Sequence, residues 1–273
     1  CPWGLVLSKL LGIPSVSSMT ALPLPLSKHE SNSKSWGNTR LLDACAAAIW
    51  AAYGVELNHN HSYENYAPYT IMWSSRVWHR GSDEFSREQF HYWGSLTSKG
   101  RIFSESKAND FIKQSLASLG DRKLVFVSLG TVATGPEFGI YGKSVEDFFR
   151  KLCSVASSMP EIAFIFAIGL GNDIPAEAAE DGRIVKIFGL ELPPNVTAAP
   201  RLDQLAVLEK ASVFVSHCGM NSSSEAVASR VPVVAMPFFG DQLYNAAAFE
   251  ELGCGLQLRY TKGFDERWKP DHS

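Results

Sequence analysis

One stretch of this sequence decides the fold of its second half: Phe214-Val215-Ser216-His217-Cys218-Gly219-Met220-Asn221-Ser222-Ser223-Ser224-Glu225. An apolar run ends at His-Cys-Gly, and a helix with Asn and Ser in its first turn follows at once. Where a strand meets a helix N-terminus, backbone N–H groups and the positive end of the helix dipole favour an anion. The side chains of His217, Asn221, Ser222 and Glu225 surround this point. The stretch therefore predicts a binding site for a nucleotide diphosphate.

Ser222 and Glu225 also fit a purely structural interpretation. A Ser followed three residues later by a Glu is a capping box, and Asn221 or Ser222 alone could cap the helix. His217 by itself is likewise typical of a structural histidine. The coincidence of a histidine, Gly219 and hydroxyl groups at one helix start favours the anion site, because together they supply N–H donors, O–H donors and a cation when the histidine is protonated.

A second polar pair, Asp241-Gln242, follows the apolar segment 236–240. A carboxylate beside an amide offers several hydrogen-bonding positions, which suits vicinal hydroxyl groups. The alternative is that Asp241 only caps the next helix. With the diphosphate site, the pair predicts a ligand rich in hydroxyls.

From Lys123 onward, strands and helices alternate along the chain. This alternation predicts an α/β fold with a parallel sheet of the doubly wound type, in which ligands bind at the carboxyl ends of the strands. Thr131, His217 and the segment after Met236 all follow predicted strands, so we expect them to share one crevice. Strands are predicted at 124–129, 162–168, 184–188, 212–216 and 232–236, and helices at 145–158, 205–210, 221–229 and 244–252.

The first part of the chain has α/β character but lacks a first strand with a glycine-rich turn. Helices are predicted at 3–11, where Gly12 ends the helix, and at 41–53, with strands at 13–16, 69–73 and 90–93. Residues 98–120 are polar and irregular, with a weak helix near 110–119, and we place an interdomain linker there. The alternative is an ordinary surface loop and helix within one domain.

The composition is that of an ordinary globular protein. The chain has 273 residues, 45% of them hydrophobic, and a net charge of −3, which argues against a protein that binds nucleic acid through its phosphates. The five cysteines are scattered and no apolar run is long enough to span a bilayer, so a cytoplasmic location is predicted. The first residue is Cys1 and the last stretch is polar, so we expect a fragment of a longer protein.

Two further motifs carry little weight. Gly169-Leu170-Gly171-Asn172 follows a strand, but a third glycine is missing and Pro175 stands where the helix should begin, so we interpret it as a turn. His59-Asn60-His61 lies in a polar loop without an acidic or cysteine partner at ligand spacing, so it does not predict a metal site.

Together these residues resemble the family-1 UDP-glycosyltransferases of the GT-B fold, and within them the macrolide-type bacterial enzymes and their eukaryotic relatives. Weaker similarity extends to Ser128-Leu129-Gly130-Thr131, Trp3-Gly4, Gly12-Ile13-Pro14, Ser74-Ser75-Arg76 and Tyr92-Trp93-Gly94-Ser95-Leu96. The strong matches are Asn195-Val196, Gln204-Leu205-Ala206-Val207-Leu208, His217-Cys218-Gly219-Met220-Asn221-Ser222, Glu225-Ala226, Val231-Pro232-Val233, Pro237, Asp241-Gln242 and Asn245-Ala246.

The resemblance implies two Rossmann-like doubly wound domains. Residues 1–97 would be the later half of an N-terminal, acceptor-side domain, 98–120 the linker, and 121–273 the C-terminal domain that binds the nucleotide sugar. It also implies that the N-terminal domain is incomplete and the C-terminal end truncated, so that the chain alone would be inactive.

The resemblance further implies a role for each site residue. His217, the Gly219 backbone, Asn221 and Ser222 would contact the diphosphate, with Thr131 in the same crevice. Glu225 would bind the ribose and Gln204 would lie near the base. Arg201 stands where the family usually has an aromatic residue stacked on uracil, a role a guanidinium can also fill. Asp203 replaces the usual proline before the glutamine. Asp241 and Gln242 would hold the sugar hydroxyls.

The implied activity is a hexosyl transfer with inversion from a UDP-sugar to a hydroxyl of a small lipophilic acceptor, without metal or other cofactor. A histidine of the family's first N-terminal loop serves as the general base, so we expect it upstream of Cys1 and assign no catalytic residue here. The alternative is a catalytically incomplete chain of the same fold that binds nucleotide or needs a partner.

Overall fold

The computed structural model describes residues 2–23, 39–57, 66–96, 107–130, 142–169, 176–179, 183–238 and 240–258. The chain divides into two compact units, Cys1–Leu96 and Thr97–Ser273. The predicted Thr131 site, the His59-Asn60-His61 loop and most of the 169–175 turn lie outside the described residues. None of the described helices is long and apolar enough to cross a membrane.

The first unit is built on a parallel three-stranded sheet in the order β1-β2-β3. A 3-10 helix at Ser82–Glu84 precedes the last strand, and Phe85 packs edge-on against Phe90 with a centroid distance of 4.9 Å. The elements are α1 (Pro2–Leu11), β1 (Val16–Met19), α2 (Thr39–Tyr53), β2 (Tyr69–Met72) and β3 (Phe90–Tyr92).

The predicted helix at 3–11 is confirmed and ends at Gly12, whose φ of 64° is the left-handed conformation that glycine accepts readily. The predicted strand at 13–16 is wrong in its position. Ile13 donates its N–H to the Ser8 carbonyl, 3.1 Å away, and Pro14 has no N–H to give to a sheet. Pairing with β2 therefore begins only at Val16.

The second unit contains a parallel six-stranded sheet in the order β12-β11-β10-β4-β5-β9. The predicted doubly wound α/β architecture is confirmed. Its elements are α3 (Lys107–Ala117), β4 (Leu124–Ser128), α4 (Gly142–Ser158), β5 (Ala163–Ala167), β6 (Ala176–Ala178), β7 (Ile184–Ile187), β8 (Leu190–Glu191), β9 (Val196–Ala199), α5 (Gln204–Leu208), β10 (Val213–Ser216), α6 (Met220–Ser229), β11 (Val233–Ala235), α7 (Asp241–Glu251) and β12 (Gly255–Gln257).

The predicted strand at 184–188 forms, but it does not join the parallel sheet. It pairs antiparallel with β6 and β8 in a separate three-stranded sheet. The strand beside β5 is instead β9, in which Val196 pairs with Phe164. This strand was not predicted from the sequence. Helix α3 falls within the predicted linker 98–120 and contacts β9 through the hydroxyls of Ser115 and Thr197, 3.2 Å apart. The domain boundaries themselves stay a prediction.

The order of the six strands creates a switch point at the centre of the sheet. From β4 the chain moves outward to β5 and β9, and then returns to the other side of β4 with β10, β11 and β12. Helices leaving β4 and β10 thus diverge, and a crevice opens at the carboxyl ends of these two strands. The stacked rings of Phe126 and Phe214, 4.8 Å apart, belong to the buried core beneath it.

Candidate functional site

The loop after β10 turns sharply at Cys218. Ser216, the last residue of β10, pairs with Ser128, the last residue of β4. The Ser216 hydroxyl accepts the N–H of Cys218 at 3.0 Å, and Cys218 has a φ of 64°. A left-handed conformation is costly for any residue with a Cβ, so the surrounding contacts must hold it in place. This turn directs His217 and Gly219 into the crevice.

The His217 imidazole lies between two glycines. A Cβ added to Gly130, just after β4, would stand 2.5 Å from the ring atoms Nε2 and Cε1 of His217. A Cβ added to Gly219 would stand 2.5 Å from Nε2. No real side chain tolerates such distances, so the ring occupies this position only because both neighbours are glycine. Gly130 was not among the residues that the sequence predicted for the site.

The enclosed His217 ring is neutral at pH 7. Burial lowers its pKa to about 4, and the backbone of Ser128 only partly opposes this shift. Its Nδ1 atom is sealed from solvent and, within the described part of the chain, has no hydrogen-bond partner. A buried polar atom without a partner costs about 1–3 kcal/mol. The ring therefore carries no charge at pH 7 unless a further group stabilises its protonated form.

Helix α6 begins at the same point without a side-chain cap. Its N-cap is Gly219, whose carbonyl accepts the N–H of Ser223 at 2.9 Å in the first intrahelical bond. The proposed caps Asn221 and Ser222 lie inside the first turn, so the capping interpretation is wrong. The donors at the start of this helix, with the positive end of its dipole, are suited to an anion.

Gln204 connects helices α5 and α6. Its Nε2 donates to the Ser222 hydroxyl at 3.2 Å and to the Glu225 carboxylate at 2.6 Å. Glu225 is buried, and a tertiary contact of this kind replaces the capping-box contact that the spacing suggested. Asp203 is the N-cap of α5 and accepts the N–H of Ala206 at 3.2 Å, which gives this departure from the family pattern a structural role. Arg201 is exposed just before it.

Asp241 and Gln242 open helix α7. The N-cap is Gly240 rather than Asp241, so the alternative that Asp241 caps this helix is wrong. Burial raises the pKa of Asp241, and a hydrogen bond from Asn245 partly opposes the shift. Gln242 is buried, and its Oε1 accepts the N–H of Phe238 at 2.8 Å. Gln242 thus shapes the segment after β11.

The structure brings the predicted residues into two neighbouring groups. His217, Gly219 and the start of α6 form one group with the Gln204–Glu225 pair, and Asp241 and Gln242 form the other. Asn245 joins them, because its Nδ2 is 2.9 Å from the Cys218 carbonyl oxygen and 3.5 Å from Asp241 Oδ2. The sequence did not predict a role for Asn245, since an amide inside a helix gives no signal of its own.

Solved structures share the fold of this chain. The solved structure of the glycotransferase of kitacinnamycin matches this chain with a TM-score of 0.69 at 24% identity, over 93% of this chain and 59% of that chain. The fold is therefore that of a GT-B glycosyltransferase, as predicted.

Sequence comparison finds similarity to one family. Residues 151–263 match the family model described as UDP-glucoronosyl and UDP-glucosyl transferase. The uncharacterized UDP-glucosyltransferase YdhE of Bacillus subtilis is 30% identical over 188 residues, which are 69% of this chain and 40% of YdhE. The oleandomycin glycosyltransferase of Streptomyces antibioticus is 31% identical over 139 residues, 51% of this chain and 27% of that protein. The resemblance to the UDP-glycosyltransferases is confirmed, and this chain spans less than half the length of either relative.

Proposed function

We propose that the second unit binds the nucleotide-sugar donor of a glycosyltransferase. The start of α6, with His217, Gly219, Asn221 and Ser222, holds the diphosphate of a UDP-sugar, and we expect Thr131 to contribute to the same contact. Glu225 receives the ribose hydroxyls, Gln204 and Arg201 face the base, and Asp241 with Gln242 holds the sugar. The match to the UDP-glycosyltransferase family model supports this assignment.

In the whole protein, we propose that a hexose is transferred to a hydroxyl of a small lipophilic acceptor. The acceptor oxygen forms a bond to the anomeric carbon from the face opposite the diphosphate, the bond from that carbon to the phosphate oxygen breaks, and the configuration inverts. The acceptor proton passes to a general base that we do not assign to a residue of this chain. UDP leaves with its new charge stabilised by N–H donors, without a metal ion.

One observation carries the proposal: the glycine-flanked His217 ring, whose Nδ1 has no hydrogen-bond partner among the described residues, lies beside the uncapped start of α6. A structural histidine would have its nitrogens satisfied within the fold. An anionic ligand would instead give the ring a partner and stabilise its protonated form, and the helix start would provide the remaining donors.

Calorimetric titration of the chain with UDP tests the proposal. We expect saturable binding that persists in EDTA, and an affinity about 10- to 100-fold weaker in His217→Ala, since one hydrogen bond to a charged group contributes about 1.5–3 kcal/mol. His91→Ala is the matched control, because that half-exposed ring belongs to the first unit, where it contacts the Glu88 carbonyl and stacks on Tyr69. Absence of UDP binding, or equal affinity in wild type and His217→Ala, would contradict the proposal.

A further inference from the structure

Asn245 occupies a central place between the two halves of the site. Its side chain is completely buried on α7, one helical turn after Asp241. Its Nδ2 donates to the carbonyl oxygen of Cys218 at 2.9 Å, and the same nitrogen lies 3.5 Å from Asp241 Oδ2. One amide group therefore contacts both the loop that carries His217 and the carboxylate at the start of α7.

The contact with Cys218 bears on the position of His217. Cys218 is in the left-handed conformation, which costs about 1–2 kcal/mol for a residue with a Cβ. Its N–H is held by the Ser216 hydroxyl and its carbonyl by Asn245, so both peptide groups of the strained residue are fixed. Since His217 and Gly219 flank this residue, the amide of Asn245 also determines how the imidazole enters the gap between the glycines.

The contact between Asn245 and Asp241 affects the ionisation of the Asp241 carboxyl group. Burial favours the protonated form of this carboxyl, and the hydrogen bond from Asn245 favours the carboxylate. Loss of the amide would thus both release the Cys218 turn and raise the pKa of Asp241 further.

We propose that Asn245 is a positioning residue that holds the His217–Gly219 loop and the Asp241 carboxylate in one binding-competent arrangement. Its effect on UDP and on a UDP-sugar rests on the proposed function, whereas its effect on the loop itself does not. Asn245 acts through these two neighbours and need not touch the ligand.

The first test compares Asn245→Ala with Asn195→Ala. Asn195 is a matched control in the same unit, because its Nδ2 also holds backbone carbonyls, those of Ala156, Met159 and Ile162, at 2.9–3.0 Å. We expect the NMR signals of the His217 ring, identified with His217→Ala, to shift in ligand-free Asn245→Ala and to stay unchanged in Asn195→Ala. Equal shifts in both variants, or none in either, would overturn the proposal.

The second test asks whether the turn is the route of the effect. Glycine adopts a positive φ without cost, so Cys218→Gly added to Asn245→Ala should return the His217 signals toward their wild-type positions. In Asn245→Ala, the carboxyl carbon of Asp241 should titrate at higher pH than in wild type, and Cys218→Gly should not restore that titration. The route would be contradicted if Cys218→Gly failed to restore the His217 signals in Asn245→Ala. It would also be contradicted if the titration of Asp241 were the same in Asn245→Ala as in wild type.

The third test uses ligands. In calorimetric titrations, we expect Asn245→Ala to weaken binding of UDP about 10-fold, as one lost hydrogen bond predicts, and of UDP-glucose by a larger factor. Asn195→Ala should leave both affinities within about two-fold of wild type. If wild type binds neither ligand, the proposed function fails while the ligand-free NMR result still decides the role of Asn245. If wild type binds and Asn245→Ala binds equally well, only the present proposal fails.

Discussion

His79 in the first unit and His217 in the second are both enclosed histidines whose pKa is lowered, first of all by burial. His79 has partners on both ring nitrogens: Nε2 lies 2.9 Å from the Pro23 carbonyl oxygen, and Nδ1 contacts the Tyr92 hydroxyl. Because a carbonyl only accepts, Nε2 carries the proton and Tyr92 donates to Nδ1. His217 by contrast leaves Nδ1 without a partner among the described residues.

This difference distinguishes a structural histidine, His79, from one that is available to a ligand, His217. The His79 contacts tie the segment after β1 to the last residue of β3, and nothing about them requires a ligand. His217 costs the fold an unsatisfied polar atom and two obligatory glycines, Gly130 and Gly219. A bound ligand that gives the ring a hydrogen-bond partner would offset this loss of stability. Burial and pKa alone would not have distinguished the two residues.

Gly219→Ala should produce the largest effect. The φ of Gly219 is −60°, so alanine meets no backbone strain, but its Cβ would stand 2.5 Å from His217 Nε2 and displace the ring. We expect UDP affinity to fall on the order of 100-fold, about 2.7 kcal/mol, measured by calorimetry. Gly4→Ala is the control, since its Cβ would meet no atom within 4 Å. Unchanged affinity in Gly219→Ala would show that the glycine-flanked ring is not what binds the diphosphate.

His79→Ala should act on stability instead. It leaves the Pro23 carbonyl and the Tyr92 hydroxyl without their partner in a buried place, which costs about 2–3 kcal/mol with the lost packing. Urea unfolding followed by fluorescence should report this loss in the first unit. Calorimetry of the folded variant should give the wild-type affinity for UDP. A large loss of affinity without a loss of stability would reverse the roles we assign to the two histidines.

Acid should destabilise the chain partly through His217. Its pKa is about 4 when folded and 6.5 when exposed, so between these values the unfolded chain binds more protons and the free energy of unfolding falls as the pH drops. His79 acts in the same direction, whereas Asp241, with its raised pKa, acts in the opposite one. We expect His217→Gln to remove about 2 kcal/mol of the stability lost between pH 7 and pH 5. Identical pH profiles by urea unfolding would mean that the ring is not enclosed in solution.

Tyr92→Phe should have the smallest effect. It removes the hydroxyl that donates to His79 and keeps the ring, over which the guanidinium carbon of Arg76 lies 4.5 Å from the centroid. We expect a loss of about 1 kcal/mol in the free energy of unfolding. Burial raises the pKa of Tyr92 to about 12, so absorbance titration should find one tyrosine fewer that ionises late in the variant. If Tyr92→Phe lowered the free energy of unfolding as much as His79→Ala, the hydrogen bond from Tyr92 would account for the whole contribution of His79 to stability.

The sequence predicted the strands of the parallel sheet best where an apolar run was unbroken. The strands near 124–129, 162–168 and 212–216 formed close to their predicted limits. β9 was missed because Val196–Ala199 holds small and polar residues between prolines, and only its pairing with β5 makes it a strand. The hydrophobic run at 184–187 formed a strand as predicted, but in the small antiparallel sheet and not in the parallel one. Periodicity gives no information about which strand will pair with it.

The site was predicted in its location more than in its contacts. A histidine and glycine between strand and helix indicated where α6 begins, and the structure agrees within one residue. The spacing of Ser222 and Glu225 suggested a capping box, yet both side chains bond to Gln204, which is distant in sequence. The ring position between Gly130 and Gly219 and the amide contact of Asn245 likewise depend on tertiary neighbours, which local spacing cannot supply. The ligand contacts of the individual residues stay predictions.

The strained residue between His217 and Gly219 is also a natural reporter. Cys218 is fully buried, burial raises the pKa of its thiol, and the thiolate that reacts with alkylating reagents is therefore scarce. Cys45 is exposed in the first unit and should react at once. The rate at which Cys218 is alkylated thus measures how often the turn at Cys218 opens to solvent. A bound ligand should lower this rate. Cys218 therefore reports on the integrity of this site without an engineered cysteine.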